Sequence, residues 1–226
     1  MRALILKGPG NPFSIETIKD PTPQKGYAVA KVLACGSGLT IQHVKAGRIT
    51  VNYPRIIGHE IIGEIVEING HGGDLEIGTP VTAFFYLTCG HCRWCNIDRE
   101  TLCDNFRGYI GREIDGGYAE YIKLPIENFI KIPEEIDYKN NLLETAVVCD
   151  AIATPLKIIK KARISSFDKV GVIGAGGGLG IHMLKMLKLN NISAIGIDTK
   201  TEKFNTCNEN GAEFSVSPME NNLKNK

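Results

Sequence analysis

The sequence predicts a two-part α/β protein, with a β-rich first half and the beginning of a parallel, helix-covered sheet in the second half. Three observations support this fold class. Residues 1–124 contain short β-type runs separated by Gly and Pro. Residues 134–162 carry apolar side chains at helical spacing. Residues 168–198 then pass through an apolar strand, a glycine-rich turn, an amphipathic helix and a second apolar strand, which is how a βαβ fold begins.

The composition excludes two classes of partner. The 226 residues are 43% hydrophobic and 23% charged, which suits a globular core, and the net charge is +1 with both signs interspersed. No basic patch for nucleic acid or for an anionic membrane is present. The N-terminal apolar run has only four residues, and no apolar stretch approaches membrane-spanning length. We therefore predict a cytoplasmic protein that binds neither nucleic acid nor membrane.

The first half is predicted to be one β domain that ends at residue 133. The alternation of side chains over residues 27–32 indicates a strand with one buried face. Beyond Pro133 two helices are expected in succession, so the second domain is placed at 134–226. Its polar tail, MENNLKNK, is expected to fray. The expected strands contain the runs RALIL, YAVAKVLAC, HEIIGEIVEI, TPVTAFFY and GGYAEYIKL.

Four of the seven cysteines are crowded into one short segment, at Cys89, Cys92, Cys95 and Cys103. A cytoplasmic chain seldom forms disulfides, and four thiolates at this spacing can close on one metal ion. A closed shell of four cysteines is typical of a structural zinc site. An iron–sulfur cluster has a similar spacing, and four unpaired core cysteines are the plain structural alternative. Because the segment interrupts a β domain that precedes a βαβ fold, we favour one structural zinc.

The glycine-rich turn predicts a dinucleotide site. It lies between an apolar strand and a helix, so the backbone N–H groups at the helix start can receive a pyrophosphate. The second strand ends at Asp198, whose carboxylate can bind an adenosine ribose and would repel a 2′-phosphate, which favours NAD(H). The alternative is a turn used only for close packing of helix and strand. The second domain is thus read as linker helices and a partial Rossmann fold. The predicted cofactor-binding residues are Gly174, Gly176, Gly177, Gly178, Leu179, Gly180 and Asp198.

Across essentially its whole length the chain resembles the zinc-containing medium-chain alcohol dehydrogenases. The resemblance is carried by the Gly58-His59-Glu60 triplet, the four-cysteine lobe and the Rossmann start that follows. It implies a GroES-like first domain, a structural zinc in the lobe and hydride transfer with NAD(H). It also implies a second, catalytic zinc, for which His59, Glu60 and Cys149 match the family ligands.

The first motif of the family departs from the expected pattern. In CGSGLT, the position of the family's second, ligating Cys is Gly38, and the position of the Asp that orients the zinc-binding His is Ile41. We therefore expect no tightly bound catalytic zinc. Thr40 and His43 do match, at the spacing by which the family passes the alcohol proton from a hydroxyl to a surface His, so both are predicted catalytic residues.

Each of these residues also has a plainer interpretation. Taken alone, Thr40 is a loop hydroxyl, His43 a solvated surface His and His59 a hydrogen-bonded core His, while Cys149 is a buried helix thiol. Only the joint match of order and spacing favours the functional interpretation.

The length is a second departure, because family members are longer and complete a six-stranded cofactor sheet. We therefore expect a chain truncated within its Rossmann domain, whose protein partner is a second copy of itself or a complementing C-terminal chain. Three functions stay open. The first is an NAD-dependent alcohol dehydrogenase. The second is a zinc-free reductase of the same superfamily that acts on an enone or enoyl thioester. The third is a non-catalytic remnant that keeps the lobe for folding.

Overall fold

The computed structural model describes residues 1–219. It contains two compact units, Met1–Cys149 and a second unit that begins at Asp150. The predicted junction after residue 133 precedes this division, because residues 134–149 pack on the first unit, where Ala146 joins Ile62 and Ile132 in one buried cluster. The predicted fraying concerns a tail that, apart from Met219, lies outside the described residues.

The first unit contains two antiparallel sheets. One has three strands in the order β2-β1-β4, and the other has five strands in the order β7-β3-β5-β6-β8. The strands are β1 (Arg2–Leu6), β2 (Phe13–Thr17), β3 (Tyr27–Cys35), β4 (Arg55–Ile56), β5 (Ile61–Asn69), β6 (Pro80–Ala83), β7 (Tyr121–Pro125) and β8 (Phe129–Lys131).

The longest pairing in the first unit joins β3 and β5. It runs from Tyr27 opposite Asn69 to Cys35 opposite Ile61, with two irregularities in register. The chain that follows β3 therefore lies beside the chain that precedes β5. The predicted one-sided burial of β3 holds only in part, because Val29 is buried as well as Ala28 and Ala30. The strand lies between β7 and β5, and both of its faces are covered over this stretch.

Two short helices belong to the first unit, α1 (Leu39–Lys45) and α2 (Leu142–Ala146). Helix α1 follows β3 directly and buries Ile41 and Val44 against Leu6, Val51 and Ile57. The two helices predicted after Pro133 are observed as α2 and α3 (Ala153–Ala162), joined by a π-helical turn over Val148–Ile152.

The second unit contains a three-stranded parallel sheet in the order β11-β10-β9. Its elements are α3, β9 (Lys169–Ile173), α4 (Gly178–Leu189), β10 (Ser193–Ile197), α5 (Phe204–Glu209) and β11 (Phe214–Val216). A cluster that includes Leu184, Leu187 and Ala194 forms its core. The first strand was expected to be buried, but Ile173 is 85% exposed, because it lies with Gly171 on the exposed face of β9, whereas Val172 on the opposite face packs in the core.

The predicted fold class is therefore confirmed: an antiparallel β domain precedes a parallel βαβ sheet. Within residues 1–219, none of the helices has both the length and the apolar character needed to cross a membrane.

Candidate functional site

The four cysteines of the lobe converge on one point. The Sγ atoms of Cys92 and Cys95 are 3.5 Å apart, as are those of Cys89 and Cys103. All four sulfurs lie within 4.8 Å of one another. Four sulfurs at the usual zinc–sulfur distance of about 2.3 Å from one ion would be about 3.8 Å apart. The donor set and its dimensions therefore fit a tetrahedral metal ion.

Backbone groups of the lobe point at its sulfurs. The amide N–H of Cys89 lies 3.3 Å from the Sγ of Cys103, and the N–H of His91 lowers the pKa of Cys89 to about 6. The N–H of Cys95 likewise lowers the pKa of Cys92, whereas burial raises that of Cys95 to about 11. Hydrogen bonds that stabilise a thiolate also prepare it to bind a metal.

The lobe has little apolar packing of its own. It consists of loops and two short 3-10 turns, Cys95–Ile97 and Glu100–Leu102, in which Ile97 and Leu102 are more than half exposed. Apart from the sulfur cluster, the lobe is held by backbone hydrogen bonds and by exposed contacts such as that of Trp94 with Asp104.

A second group of predicted ligands lies at the start of β5. The His59 ring is half-buried 4.9 Å from the Phe85 ring, and the carboxylate-bearing Glu60 is buried. The Cys149 Sγ is 3.7 Å from the carbonyl oxygen of His59. Across residues 1–219, however, only the four lobe cysteines form a group whose ligand atoms all lie within 4.8 Å of one another.

The two departures from the family pattern are visible next to this group. Gly38 precedes α1, and a Cβ built on it would lie 3.8 Å from the Glu60 carboxylate, so the position has room for a side chain but supplies no donor. Ile41 is only 3% exposed and belongs to an apolar cluster. The place of the orienting carboxylate is thus taken by a core side chain.

The predicted catalytic residues Thr40 and His43 lie three positions apart on α1, so their side chains share one face of the helix. The His43 Nδ1 is 3.2 Å from the Arg48 guanidinium. Since arginine can only donate, Nδ1 is the acceptor, and the imidazole proton is then on Nε2. The arrangement orients the ring of His43 and leaves its Nε2 for another partner.

The glycine-rich turn of the second unit is held together by Asp198. The N–H of Gly176 donates to Asp198 Oδ2 at 2.9 Å, and the N–H of Lys200 donates to Oδ1 at 3.0 Å. The N–H of Lys200 and then that of Gly176 lower the pKa of Asp198. Gly180 packs so close to the carbonyl of Gly174 that a side chain would not fit.

The other predicted cofactor residues surround this contact. Gly177 is the N-cap of α4, Gly178 is open to its surroundings, and Leu179 is half exposed. The start of the helix is therefore accessible to a ligand, as an anion site requires.

Two residues with contacts at these sites were not predicted. Lys203 donates from Nζ to the carbonyl oxygen of Gly176 at 2.9 Å, and Tyr118 donates from its hydroxyl to the carbonyl oxygen of Gly36 at 3.2 Å. A basic residue five positions after Asp198 is a weak signal for the first. Tyr118 is distant from Gly36 in sequence, and no local pattern indicates the second.

The fold and these sites define a two-domain protein in which a β-rich domain with a cysteine lobe precedes a dinucleotide fold. A family model described as the alcohol dehydrogenase GroES-like domain matches residues 24–134. Among curated relatives, an NAD-dependent alcohol dehydrogenase of Saccharolobus solfataricus is 30% identical and is matched over 96% of this chain and 64% of its own. An acryloyl-coenzyme A reductase of Sulfurisphaera tokodaii is 29% identical, over 90% of this chain and 60% of its own.

Solved structures give the same result. The alcohol dehydrogenase of Aeropyrum pernix superposes with a TM-score of 0.88 at 28% identity, over 99% of this chain and 67% of that one. A cobalt- and zinc-bound alcohol dehydrogenase of Pyrobaculum aerophilum superposes with a TM-score of 0.87 at 29% identity, over 96% and 66%. Residues 24–134 therefore match the alcohol dehydrogenase GroES-like domain, and the chain as a whole is similar to alcohol dehydrogenases in sequence and in fold. It spans 60–64% of the length of the two curated relatives.

Proposed function

We propose that the chain is the substrate-binding and adenosine-binding part of an oxidoreductase that transfers hydride between an alcohol or aldehyde and NAD(H). The observation that carries the proposal is the joining, in one chain, of an alcohol dehydrogenase GroES-like domain to a glycine turn locked by an acidic residue. Small molecules are then the substrates. Three statements stay predictions: the cytoplasmic location, the assembly with a second copy of the chain, and the complementing C-terminal chain.

The lobe is proposed to hold one structural zinc through Cys89, Cys92, Cys95 and Cys103. The support is the dimension of the sulfur cluster and the absence of an open ligand position. A zinc held by four thiolates supplies folding energy rather than Lewis-acid chemistry. The lobe is thus a structural element of the domain.

Asp198 is proposed to bind the adenosine ribose of NAD(H). Each of its oxygens already accepts one backbone N–H, and a carboxylate oxygen can accept further hydrogen bonds. The ribose hydroxyls would supply those donors, whereas a 2′-phosphate would bring a second negative charge against the carboxylate. Gly174, Gly176, Gly177, Gly178, Leu179 and Gly180 would form the pyrophosphate turn beside it.

Thr40 and His43 are proposed to move the proton of the substrate hydroxyl. The Thr40 hydroxyl would accept that proton and pass one on, and His43, whose Nδ1 is held by Arg48, would be the terminal acceptor. His59, Glu60 and Cys149 are the residues that a catalytic zinc would need, and zinc would supply polarisation of the substrate oxygen. Gly38 provides no thiolate ligand for such a zinc, and Ile41 provides no carboxylate to orient His59.

A second candidate function is reduction of an activated carbon–carbon double bond, such as that of an enone or enoyl thioester. The same two departures favour it, because hydride addition to a conjugated carbon needs no metal if protein donors polarise the carbonyl. Two relatives named acryloyl-coenzyme A reductase, at 29% and 26% identity, support this candidate.

The two candidates separate in one set of assays. The purified chain is mixed with NAD and a primary alcohol, and separately with NADH and 2-cyclohexenone or crotonyl-coenzyme A. NADH formation in the first mixture supports the dehydrogenase, and NADH consumption only in the second supports the reductase. No turnover in either, together with no NADH binding by titration, would contradict both and favour the non-catalytic remnant.

A further inference from the structure

The residues proposed for catalysis in the first unit are carried by two separate segments. One is the Cys35–Gly38 turn, which leads into the helix with Thr40 and His43. The other is the Gly58–Glu60 segment, which carries His59. One backbone hydrogen bond joins them, from the N–H of Gly36 to the carbonyl oxygen of Glu60 at 2.7 Å. The approach is so close that any side chain at Gly36 would clash with the Glu60 carboxylate.

Tyr118 is in contact with both segments. Its ring covers Gly58, where a Cβ would lie 2.6 Å from the ring and where φ is +96°. Its hydroxyl donates to the carbonyl oxygen of Gly36 at 3.2 Å, and its backbone N–H donates to the carbonyl oxygen of Ile57 at 3.0 Å. A single side chain therefore fastens the turn after β3 to the segment before β5.

The surroundings keep this hydroxyl a donor. Burial raises the pKa of Tyr118 above its ordinary value of 10, so the hydroxyl stays protonated and can donate. The ring also packs edge-on against Phe13, with centroids 6.3 Å apart. The tyrosine is held by the core on one side and by the turn on the other.

We propose that Tyr118 is a positioning residue that fixes the Cys35–Gly38 turn, and through it Thr40, against the segment of His59. In a site with a thiolate at position 38, a shared metal would tie these two segments together. Here Gly38 offers no ligand, and the hydroxyl of Tyr118 makes the connection without metal. The consequence for catalysis rests on the proposed function, but the connection itself does not.

The first test does not depend on activity. Tyr118→Phe keeps the ring and removes the hydroxyl, and Tyr53→Phe is the matched control, because Tyr53 donates a similar bond to the Val44 carbonyl in α1 at 3.0 Å. Amide hydrogen exchange over residues 35–40 and the alkylation rate of Cys35 are measured by mass spectrometry. The Cys35 Sγ lies directly behind Gly58 and Gly117, so it reports opening of the turn.

We expect Tyr118→Phe to raise both rates about fivefold, the equivalent of one lost hydrogen bond, and Tyr53→Phe to leave both unchanged. Unchanged rates in Tyr118→Phe, or an equal rise in the two variants, would overturn the proposal. If the wild type is active, kcat should fall in Tyr118→Phe while KM for the cofactor stays the same. A wild type with neither turnover nor NADH binding would contradict the proposed function and leave the exchange result intact.

Discussion

The four-cysteine lobe and the segment around His59 are the two regions where the family places zinc, and they differ in what holds them in place. In the lobe, four sulfurs converge while exposed loops surround them. Around His59, the predicted ligands do not gather into one such group, but the neighbouring helix α1 buries Ile41 and Val44 in an apolar cluster. The lobe has ligands and almost no core, whereas the second region has a core and too few ligands.

The difference indicates which of the two regions depends more on a metal ion. Apart from its four sulfurs, the lobe is joined by backbone hydrogen bonds and by exposed contacts such as that of Trp94 with Asp104, and it has little apolar packing. Around His59 the hydrogen bond from Gly36 to Glu60, the contacts of Tyr118 and the cluster of Ile41 connect the same segments. The loss of a thiolate at position 38 is therefore compatible with a folded domain.

The largest effect is expected from breaking the lobe. Cys95→Ser should reduce the zinc content from about one to about zero per chain and lower the free energy of unfolding by several kcal/mol, because the metal supplies the order of the lobe. Elemental analysis and thermal unfolding measure the two quantities.

Cys207→Ala is the control for this variant. Cys207 is fully buried in the second unit, so its replacement costs stability but should leave the zinc content at about one. A Cys95→Ser protein with unchanged zinc content and melting temperature would show that the lobe is not a metal site.

The second largest effect is expected from restoring the missing thiolate ligand together with the orienting carboxylate. In the Gly38→Cys, Ile41→Asp double variant, the zinc that remains after dialysis against a mild chelator should rise from about one to about two per chain. Gly38 has room for the new side chain, 3.8 Å from the Glu60 carboxylate. Two tightly held zinc ions in the wild type would contradict this prediction and indicate that Glu60 completes the site.

Ile41→Asp alone separates ligand chemistry from stability. The substitution places a carboxylate in an apolar cluster and adds no thiolate. We therefore expect the free energy of unfolding to fall by roughly 1–3 kcal/mol and the zinc content to stay unchanged. A gain of zinc in this single variant would mean that the orienting carboxylate, rather than the thiolate, is the limiting feature of the region.

A smaller effect is expected in the second unit. Asp198→Ala should weaken NADH binding roughly 10–100-fold, because a charged acceptor of hydrogen bonds is lost and the turn at Gly176 is released. Asp168→Ala is the matched control, since Asp168 also accepts a backbone N–H, from Ser165, but outside the glycine turn. Tighter binding of NADPH than of NADH by the wild type would refute the proposed role of Asp198.

The sequence was sufficient where local spacing encodes the result. The four cysteines, the glycine turn and the longer strands follow from short patterns, and the structure brings the four thiols and the Gly176–Asp198 pair together. The short strands β2, β4 and β8 were not predicted. The exposure of Ile173 was not predictable in this way, because a continuous apolar run does not show which face of the strand is left uncovered.

The missed contacts are those between distant parts of the chain. Tyr118 and Gly36 meet because β7 pairs with β3, and the pairing of β5 with β3 brings the Gly58 segment beside the same turn. Similarly, residues 134–149 read as a linker by their helical pattern, while the burial of Ala146 against Ile62 assigns them to the first unit. No short sequence pattern indicates either contact.

The smallest expected effect concerns the segment that brings Cys149 to the His59 region. The Tyr138 hydroxyl donates to Glu64 on β5 at 2.7 Å, and this hydrogen bond raises the pKa of Tyr138 to about 12 from its ordinary value of 10. A raised pKa in the folded state means that the stabilisation is complete below about pH 10 and is lost as the pH rises toward 12. Because the tyrosine is partly exposed, we expect Tyr138→Phe to lower the free energy of unfolding by about 1 kcal/mol or less at pH 8. Chemical unfolding of both proteins at increasing pH should show this difference shrinking above about pH 10, and a difference that stays constant would mean that the hydrogen bond with Glu64 does not stabilise the segment.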